Sequence, residues 1–219
     1  MRKSDSQIQR DVLAELEWDP KVDHTNVGVS VIDGVVTLSG YVRSFAEKLA
    51  AERAAGRVAG VSALAEDLKV RYPTDAKTAD HEIARRICDV LEWNALVPND
   101  SIKVKVEHGW VTLSGEVNWH YQSEEAKRAA SLVSGVVGVS NAINVVNHLS
   151  QTDLRHRIED AFKRQADLDA SSVTVMIDGS KVRLSGQVRA PYERRIAEAA
   201  VWGAPGVTIV EDHITIKNA

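Results

Sequence analysis

The feature that most constrains the fold of this chain is a threefold internal repeat. One phrase occurs as GVVTLSGYV from position 34, GWVTLSGEV from position 109 and SKVRLSGQV from position 180. The glycines that close the core of the phrase, Gly40, Gly115 and Gly186, are 75 (115 − 40) and 71 (186 − 115) residues apart. The same two offsets align the three copies over their whole length without gaps. The chain is therefore three copies of one fold.

The first and fourth elements of each copy are predicted to be helices. In the first copy, Ile8, Val12 and Leu16 recur at the spacing of one helix face, and the other copies keep this pattern. An alanine-rich second helix is expected over about 44–58. It ends before Gly60, since glycine readily adopts the left-handed backbone that follows many helices.

Strands form the other three elements. Alternating valines flank Asp33-Gly34 and His108-Gly109, which suit a type I′ hairpin turn, whereas Gly179-Ser180 suits type II′. A short apolar strand closes each copy. We therefore expect the α+β class, with three tandem α-β-β-α-β repeats, each with two helices packed on a three-stranded mixed sheet.

The alignment also places the domain boundaries. We expect repeats at 1–72, 78–147 and 149–219. The difference between the two offsets falls between copies, where 71–80 and 147–152 are the predicted linkers. Each repeat has about 70 residues, which is enough for a small independent core.

Composition excludes several classes of protein. The chain has 27 basic and 31 acidic residues, a net charge of −4, and no apolar run long enough to span a membrane. We expect no nucleic-acid partner. The single cysteine, Cys88, excludes an internal disulfide, and we expect its side chain to be buried. No apolar stretch follows Arg2 and Lys3, so we expect a cytoplasmic protein as written, or a periplasmic one if a signal peptide was removed.

No pattern in the chain points to catalysis. The seven histidines fall at non-equivalent places in the repeats, and none forms a metal-ligand pair. Ser39, Ser114 and Ser185 are common to all three copies, but they lack the surroundings of a nucleophile and suit a role in the strand ending. We expect no enzyme activity, no cofactor and no metal site.

The order of elements, the V-T-L-S-G hairpin, the alanine-rich helix and the G-V pair before the last strand resemble the BON domain, the bacterial osmotic-stress and nodulation domain. The resemblance covers nearly the whole chain, three times over. It implies a non-enzymatic module, found mostly in bacterial cell envelopes, that binds phospholipid surfaces or partner proteins. The function that we expect is phospholipid or membrane-associated binding, with a role in osmotic or envelope stress.

The turn after the first helix of the second repeat is one candidate contact surface. Trp93, Leu96 and Val97 form an apolar stretch there, and tryptophan favours the membrane interface. Trp18 has the same position in the first repeat. The alternative is that both tryptophans cover the edges of small cores or pack between repeats.

Basic residues of the third repeat form a second candidate surface. Arg189, Arg194 and Arg195 gather at the start of its second helix, where they could contact the phosphates of an anionic phospholipid surface. The alternative is a solvated helix face whose arginines pair with neighbouring acidic residues.

Aromatic residues in the second repeat suggest a rival function. Trp119 and Tyr121 flank His120 where the second helix begins, and these aromatics exceed what the helix entry needs. They favour contact with another repeat or with a protein partner, as in an interaction scaffold or a homo-oligomer. Trp110, beside the hairpin turn, is expected to cover the hairpin.

Overall fold

Three α-β-β-α-β repeats follow one another along the chain, as the sequence predicts. The structure is a computed structural model that describes residues 3–71, 79–98, 100–146, 149–165 and 170–217. The first repeat contains α1 (Asp5–Trp18), β1 (Val27–Ile32), β2 (Val35–Val42), α2 (Phe45–Gly56) and β3 (Ala63–Val70). The second contains α3 (Asp80–Glu92), β4 (Ile102–Glu107), β5 (Trp110–Val117), α4 (His120–Ser131) and β6 (Gly138–Val145). The third contains α5 (Gln151–Lys163), β7 (Val173–Asp178), β8 (Lys181–Val188), α6 (Pro191–Trp202) and β9 (Ile209–Ile216).

Each sheet has three strands in chain order, with the second strand in the middle. In the first repeat β1 is antiparallel to β2, and β2 is parallel to β3. The third repeat pairs β7, β8 and β9 in the same way. The parallel pair requires a crossover, which α2 and α6 provide in these two repeats. The predicted mixed sheets and α+β class are confirmed.

The hairpin turns have the backbone that their sequences predict. Asp33 and Gly34 both have positive φ, at 52° and 77°, as a type I′ turn requires. His108 and Gly109 repeat this geometry. In the third hairpin Gly179 has a positive φ of 59°, whereas the φ of Ser180 is not positive, which fits type II′.

The second helix of the first repeat ends two residues earlier than expected. This helix, α2, ends at Gly56, and Gly60 lies in the turn that leads to β3, with a φ of 103°. Because Gly60 follows the last residue of the helix by four positions, it belongs to the turn, whose backbone at this point is one that an L side chain rarely adopts.

The helices cover one face of each sheet and form the core with it. In the first repeat α1 contributes Ile8, Val12 and Leu16 to this core. The small side chains of α2 let that helix approach the sheet closely, and they are also buried: Ala50, Ala51, Ala54 and Ala55. The third repeat has the same arrangement, with Leu154, Ile158 and Phe162 on α5.

Spatial contacts divide the chain into two compact units that differ from the sequence repeats. One holds residues 1–90, 104–112 and 128–140, and the other holds 91–103, 113–127 and 141–219. The second repeat therefore contributes to both units. Most of the first predicted linker, and the start of the second, lie outside the described residues.

The prediction of a buried Cys88 is wrong, because this side chain is exposed. Ile83 and Ile87 point into the core from the same helix. Since one residue rotates a helix by about 100°, the position after Ile87 turns away from that core. Leu13, at the matching position of α1, is partly exposed for the same reason.

Candidate binding surfaces

The turn after α3 presents two large apolar side chains to solvent. Trp93 is 88% exposed and Leu96 is 53% exposed. Asn94 holds the turn between them, because its Oδ1 accepts a hydrogen bond from the Leu96 backbone nitrogen at 3.0 Å. Its Nδ2 donates to Glu125 Oε1, also at 3.0 Å, which ties the turn to α4. The apolar tip is thus held in a defined backbone conformation.

Val97 does not belong to the exposed surface of this turn, which corrects the sequence prediction. Its side chain is only 4% exposed, and its backbone nitrogen donates to the Asn94 carbonyl at 3.0 Å. Val22 is buried at the same position of the first repeat. Burial of this valine anchors the turn to its own repeat.

Trp18 ends α1 in the same manner, with 84% of its surface exposed. A tryptophan that covered the core edge of its own repeat would lose most of its exposed surface. That alternative does not fit Trp18 or Trp93. The residues that follow Trp18 differ in chemistry, however, because Lys21 occupies the position of Leu96.

The Trp119–Tyr121 cluster lies beside a contact with the third repeat. The two rings are 6.4 Å apart, and Tyr121 is 49% exposed. Between them, the His120 ring stacks on Trp202 of α6 with 4.4 Å between centroids. The aromatic excess at this helix start therefore includes contact with another repeat, which was one of the two expectations.

Arg194 is engaged within its own repeat. Its Nε forms an ion pair with the buried carboxylate of Asp212 on β9. The sequence analysis grouped it with Arg189 and Arg195, whose side chains are exposed at the start of α6. Arg194 thus takes part in the internal structure of its repeat, while its side chain remains 43% exposed.

A polar pair links the second helix to the third strand in all three repeats. Lys48 Nζ lies 2.7 Å from Glu66 Oε2 in the first. Asn141 Nδ2 donates to Ser123 Oγ at 2.9 Å in the second. The third pair is Arg194–Asp212. Sequence reasoning missed this feature, although the repeat alignment places all three pairs at matching positions.

The electrostatics of the Arg194 pair suit a structural role. Burial raises the pKa of Asp212, but hydrogen bonds from Arg194 and from the Ile214 backbone nitrogen outweigh it and lower that pKa overall. Burial also raises the pKa of the neighbouring Glu198, and its hydrogen bond to Asp212 raises it further. The Arg194 guanidinium thus interacts with two neighbouring carboxyl groups, those of Asp212 and Glu198.

The second helix of each repeat carries a buried polar residue in its first turn: Glu47, Gln122 and Glu193. Glu47 accepts hydrogen bonds from the backbone nitrogens of Asp23 and Arg43, both at 2.7 Å. Gln122 and Glu193 accept from the backbone before their own helices. These residues hold the strand-to-helix connection, and the repeat alignment could have shown them.

Among the residues that the structure describes, no group of three or more histidine, cysteine, aspartate or glutamate side chains could hold a metal ion. None of the helices described here is long and apolar enough to cross a membrane.

Comparison with protein families agrees with this repeated architecture. The model of the BON domain matches residues 4–72, 79–147 and 150–218, which together make up most of the chain. The chain belongs to the BON domain family. Its three BON repeats thus correspond to the three α-β-β-α-β segments of the structure.

One curated relative is similar to this chain in sequence. Osmotically-inducible protein Y of Escherichia coli (strain K12) is 34% identical over 146 residues, which cover 63% of this chain and 70% of that protein. Among solved structures, CdsD, a structural protein of the type III secretion system of Chlamydia trachomatis, aligns over 97% of this chain and 93% of its own, with 14% identity and a TM-score of 0.28.

Proposed function

We propose that this BON protein is a non-enzymatic binding module that attaches to phospholipid membrane surfaces, with a role in osmotic or envelope stress. The observation that carries the proposal is the turn after α3, where Trp93 and Leu96 are exposed on a turn held by Asn94. Tryptophan is favoured at the boundary between lipid headgroups and acyl chains. Such a tip can enter that boundary without unfolding of the repeat.

The proposed contact is shallow and reversible. Full burial of one leucine-sized side chain contributes roughly 1.5–3 kcal/mol. Trp93 and Leu96 together therefore give modest affinity, and stable attachment needs a second contribution. Trp18 of the first repeat and the exposed Arg189 and Arg195 of the third are the residues that we propose for it.

The stress-related part of the proposal is supported by the relative. The Escherichia coli protein is named for its induction by osmotic change. Shared BON repeats and 34% identity support a related circumstance of use for this chain. This support does not depend on the lipid contact.

Flotation of the whole chain with phospholipid vesicles tests the lipid contact. We expect the wild-type protein to float with the vesicles and the double variant Trp93→Ala/Leu96→Ser to lose most of this binding. A matched control, Ile32→Ala/Met176→Ala, removes exposed apolar side chains from two hairpins and is expected to float like the wild type.

Vesicle charge and salt separate the two contributions. Binding that persists with neutral vesicles at high salt points to the apolar turn, whereas salt-sensitive binding to anionic vesicles points to the arginines. If the wild type does not float under any condition, the lipid proposal is wrong. A concentration-dependent oligomer that Tyr121→Ala disperses in sedimentation would then favour the protein-interaction alternative.

A further inference from the structure

A cleft of ≈ 630 Å³ is lined by the turn after α1, by the connection into α2 and by α2 itself, together with Leu132 of the second repeat. Its basic lining residues are Lys21 and His24 from the turn, Arg43 from the connection and Arg53 from the last turn of α2. Three side chains that are positively charged at neutral pH therefore face one concave surface. The cleft lies next to Trp18 in sequence but is distinct from the apolar turn of the second repeat.

The two acidic side chains of the cleft are already satisfied by the protein. Glu47 is buried and accepts from the backbone nitrogens of Asp23 and Arg43. Asp23 pairs with Arg43 and also accepts from the Thr25 backbone nitrogen at 3.3 Å. A hydrogen bond from Thr25 lowers the pKa of Asp23, which is therefore ionised and engaged at neutral pH.

The remaining positive charge belongs to Lys21 and Arg53. The Arg53 side chain is positioned by its Nε, which donates to the Leu49 carbonyl at 3.0 Å. Its terminal nitrogens and the Lys21 ammonium group can donate hydrogen bonds to a negatively charged ligand in the cleft. Arg43, although paired with Asp23, adds to the positive field there.

The other two repeats show that the fold does not need these cations. The positions of Lys21, Arg43 and Arg53 are occupied in the second repeat by Leu96, Asn118 and Arg128. In the third repeat they are occupied by Asp167, Arg189 and Ala199. Only the first repeat therefore combines all three basic residues around the same structural element. Because the common fold does not require these three cations, we expect them to have another role.

We propose that this cleft binds a phosphate group, through the Lys21 ammonium and the Arg53 guanidinium. Two oxygens of a phosphate group can accept both hydrogen bonds of a guanidinium fork, and lysine adds a point charge. The group can come from a phospholipid headgroup or from a soluble phosphate compound, since both present the same oxygens. The proposal stands apart from the membrane contact of the second repeat.

Titration calorimetry of the full chain, without vesicles, tests the site. The probes are inorganic phosphate, glycerol 3-phosphate and a short-chain phosphatidate kept below its micelle concentration. We expect Lys21→Gln/Arg53→Gln to weaken binding at least about tenfold, because two charge-assisted contacts are lost. The control Lys69→Gln/Lys103→Gln removes the same charge from exposed strand positions and should bind like the wild type.

The outcomes decide both the site and the source of its ligand. Tight binding of phosphatidate with weak binding of the two soluble phosphates assigns the site to a lipid headgroup, and equal binding of all three assigns it to soluble phosphate. If no probe binds the wild type at low ionic strength, or if both double variants lose affinity equally, the proposal is wrong. Since no vesicle is present, this result is independent of flotation through Trp93.

Discussion

At the scale of single residues, Trp110 and Gly138 form a pair that only the second repeat contains. Val35 is aligned with Ala63 in the first sheet and Lys181 with Ile209 in the third. Trp110 and Gly138 stand at the same positions, and the indole Nε1 donates to Ser140 Oγ at 2.9 Å. A Cβ on Gly138 would overlap the Trp110 ring. The Trp110 ring was expected to cover the hairpin, but its contacts place it on β6, where a glycine makes room for it.

We expect Gly138→Ala to lower the free energy of unfolding by about 1–3 kcal/mol, because the indole must leave its place on the strand. Denaturant unfolding of the full chain measures the change. The double variant Trp110→Val/Gly138→Ala restores the valine–alanine pair of the first repeat and should recover most of the stability.

Gly56→Ala is the control for this substitution. Gly56 ends α2 with no atom near the position of an added Cβ, so its replacement should leave stability equal or higher. If Gly138→Ala behaves like Gly56→Ala, the close contact with Trp110 has no energetic importance.

At the scale of elements, an aspartate ties the first helix of a repeat to its hairpin. Asp80, the first residue of α3, accepts from the backbone nitrogens of His108 and Gly109 at 2.8 and 2.9 Å. Asp5 does the same for Asp33 and Gly34 in the first repeat. One carboxylate thus satisfies the two turn amides and fixes the helix start against the turn.

This contact makes a pH-dependent contribution to stability. The backbone hydrogen bonds from Gly109 and His108 lower the pKa of Asp80. A carboxyl whose pKa is lowered by folding stabilises the protein above its unfolded pKa, about 4, and this stabilisation is lost as pH falls through the folded value. Asp80→Asn should therefore be less stable than the wild type at pH 7, with a difference that shrinks below pH of about 4.

Urea unfolding at several pH values measures that difference. Asp89→Asn removes the same charge from the exposed face of α3 and should differ little from the wild type at any pH. A gap between Asp80→Asn and the wild type that stays constant down to the lowest pH would contradict the proposed contribution of the carboxylate.

At the scale of the whole molecule, contacts between repeats were beyond the reach of the sequence. Within the second compact unit, His120 stacks on Trp202, and the Gly206 backbone nitrogen donates to the Asn118 carbonyl at 2.9 Å. These contacts join the start of α4 to the third repeat. The sequence indicated an aromatic excess at α4 but not its partner.

A double-mutant cycle on His120→Ala and Trp202→Ala tests this contact. We expect a favourable coupling of about 1 kcal/mol, since a stacked aromatic pair contributes this much beyond the area that it buries. Denaturant unfolding measures it, and Tyr192→Ala in place of His120→Ala serves as the control pair. Strict additivity of the two single substitutions would show that the stack does not hold the repeats together.

Much of the fold was predictable because its signals are local. Helical spacing, strand alternation and the Asp33-Gly34 turn depend on residues that are close in sequence. The prediction was less accurate for exposure. Val97 was expected to be exposed but is buried, and Cys88 was expected to be buried but is exposed. The reason is that burial depends on how a turn or helix is rotated against its own core.

The sequence by itself determined three copies of a BON repeat, since periodicity and the matched offsets are properties of the chain alone. The tertiary structure alone decided that Trp93 and Leu96 are exposed while Val97 is buried. It also decided that Arg194 is paired with Asp212. The physical reason is that a side chain's partners come from distant parts of the chain, and packing determines which surfaces they cover.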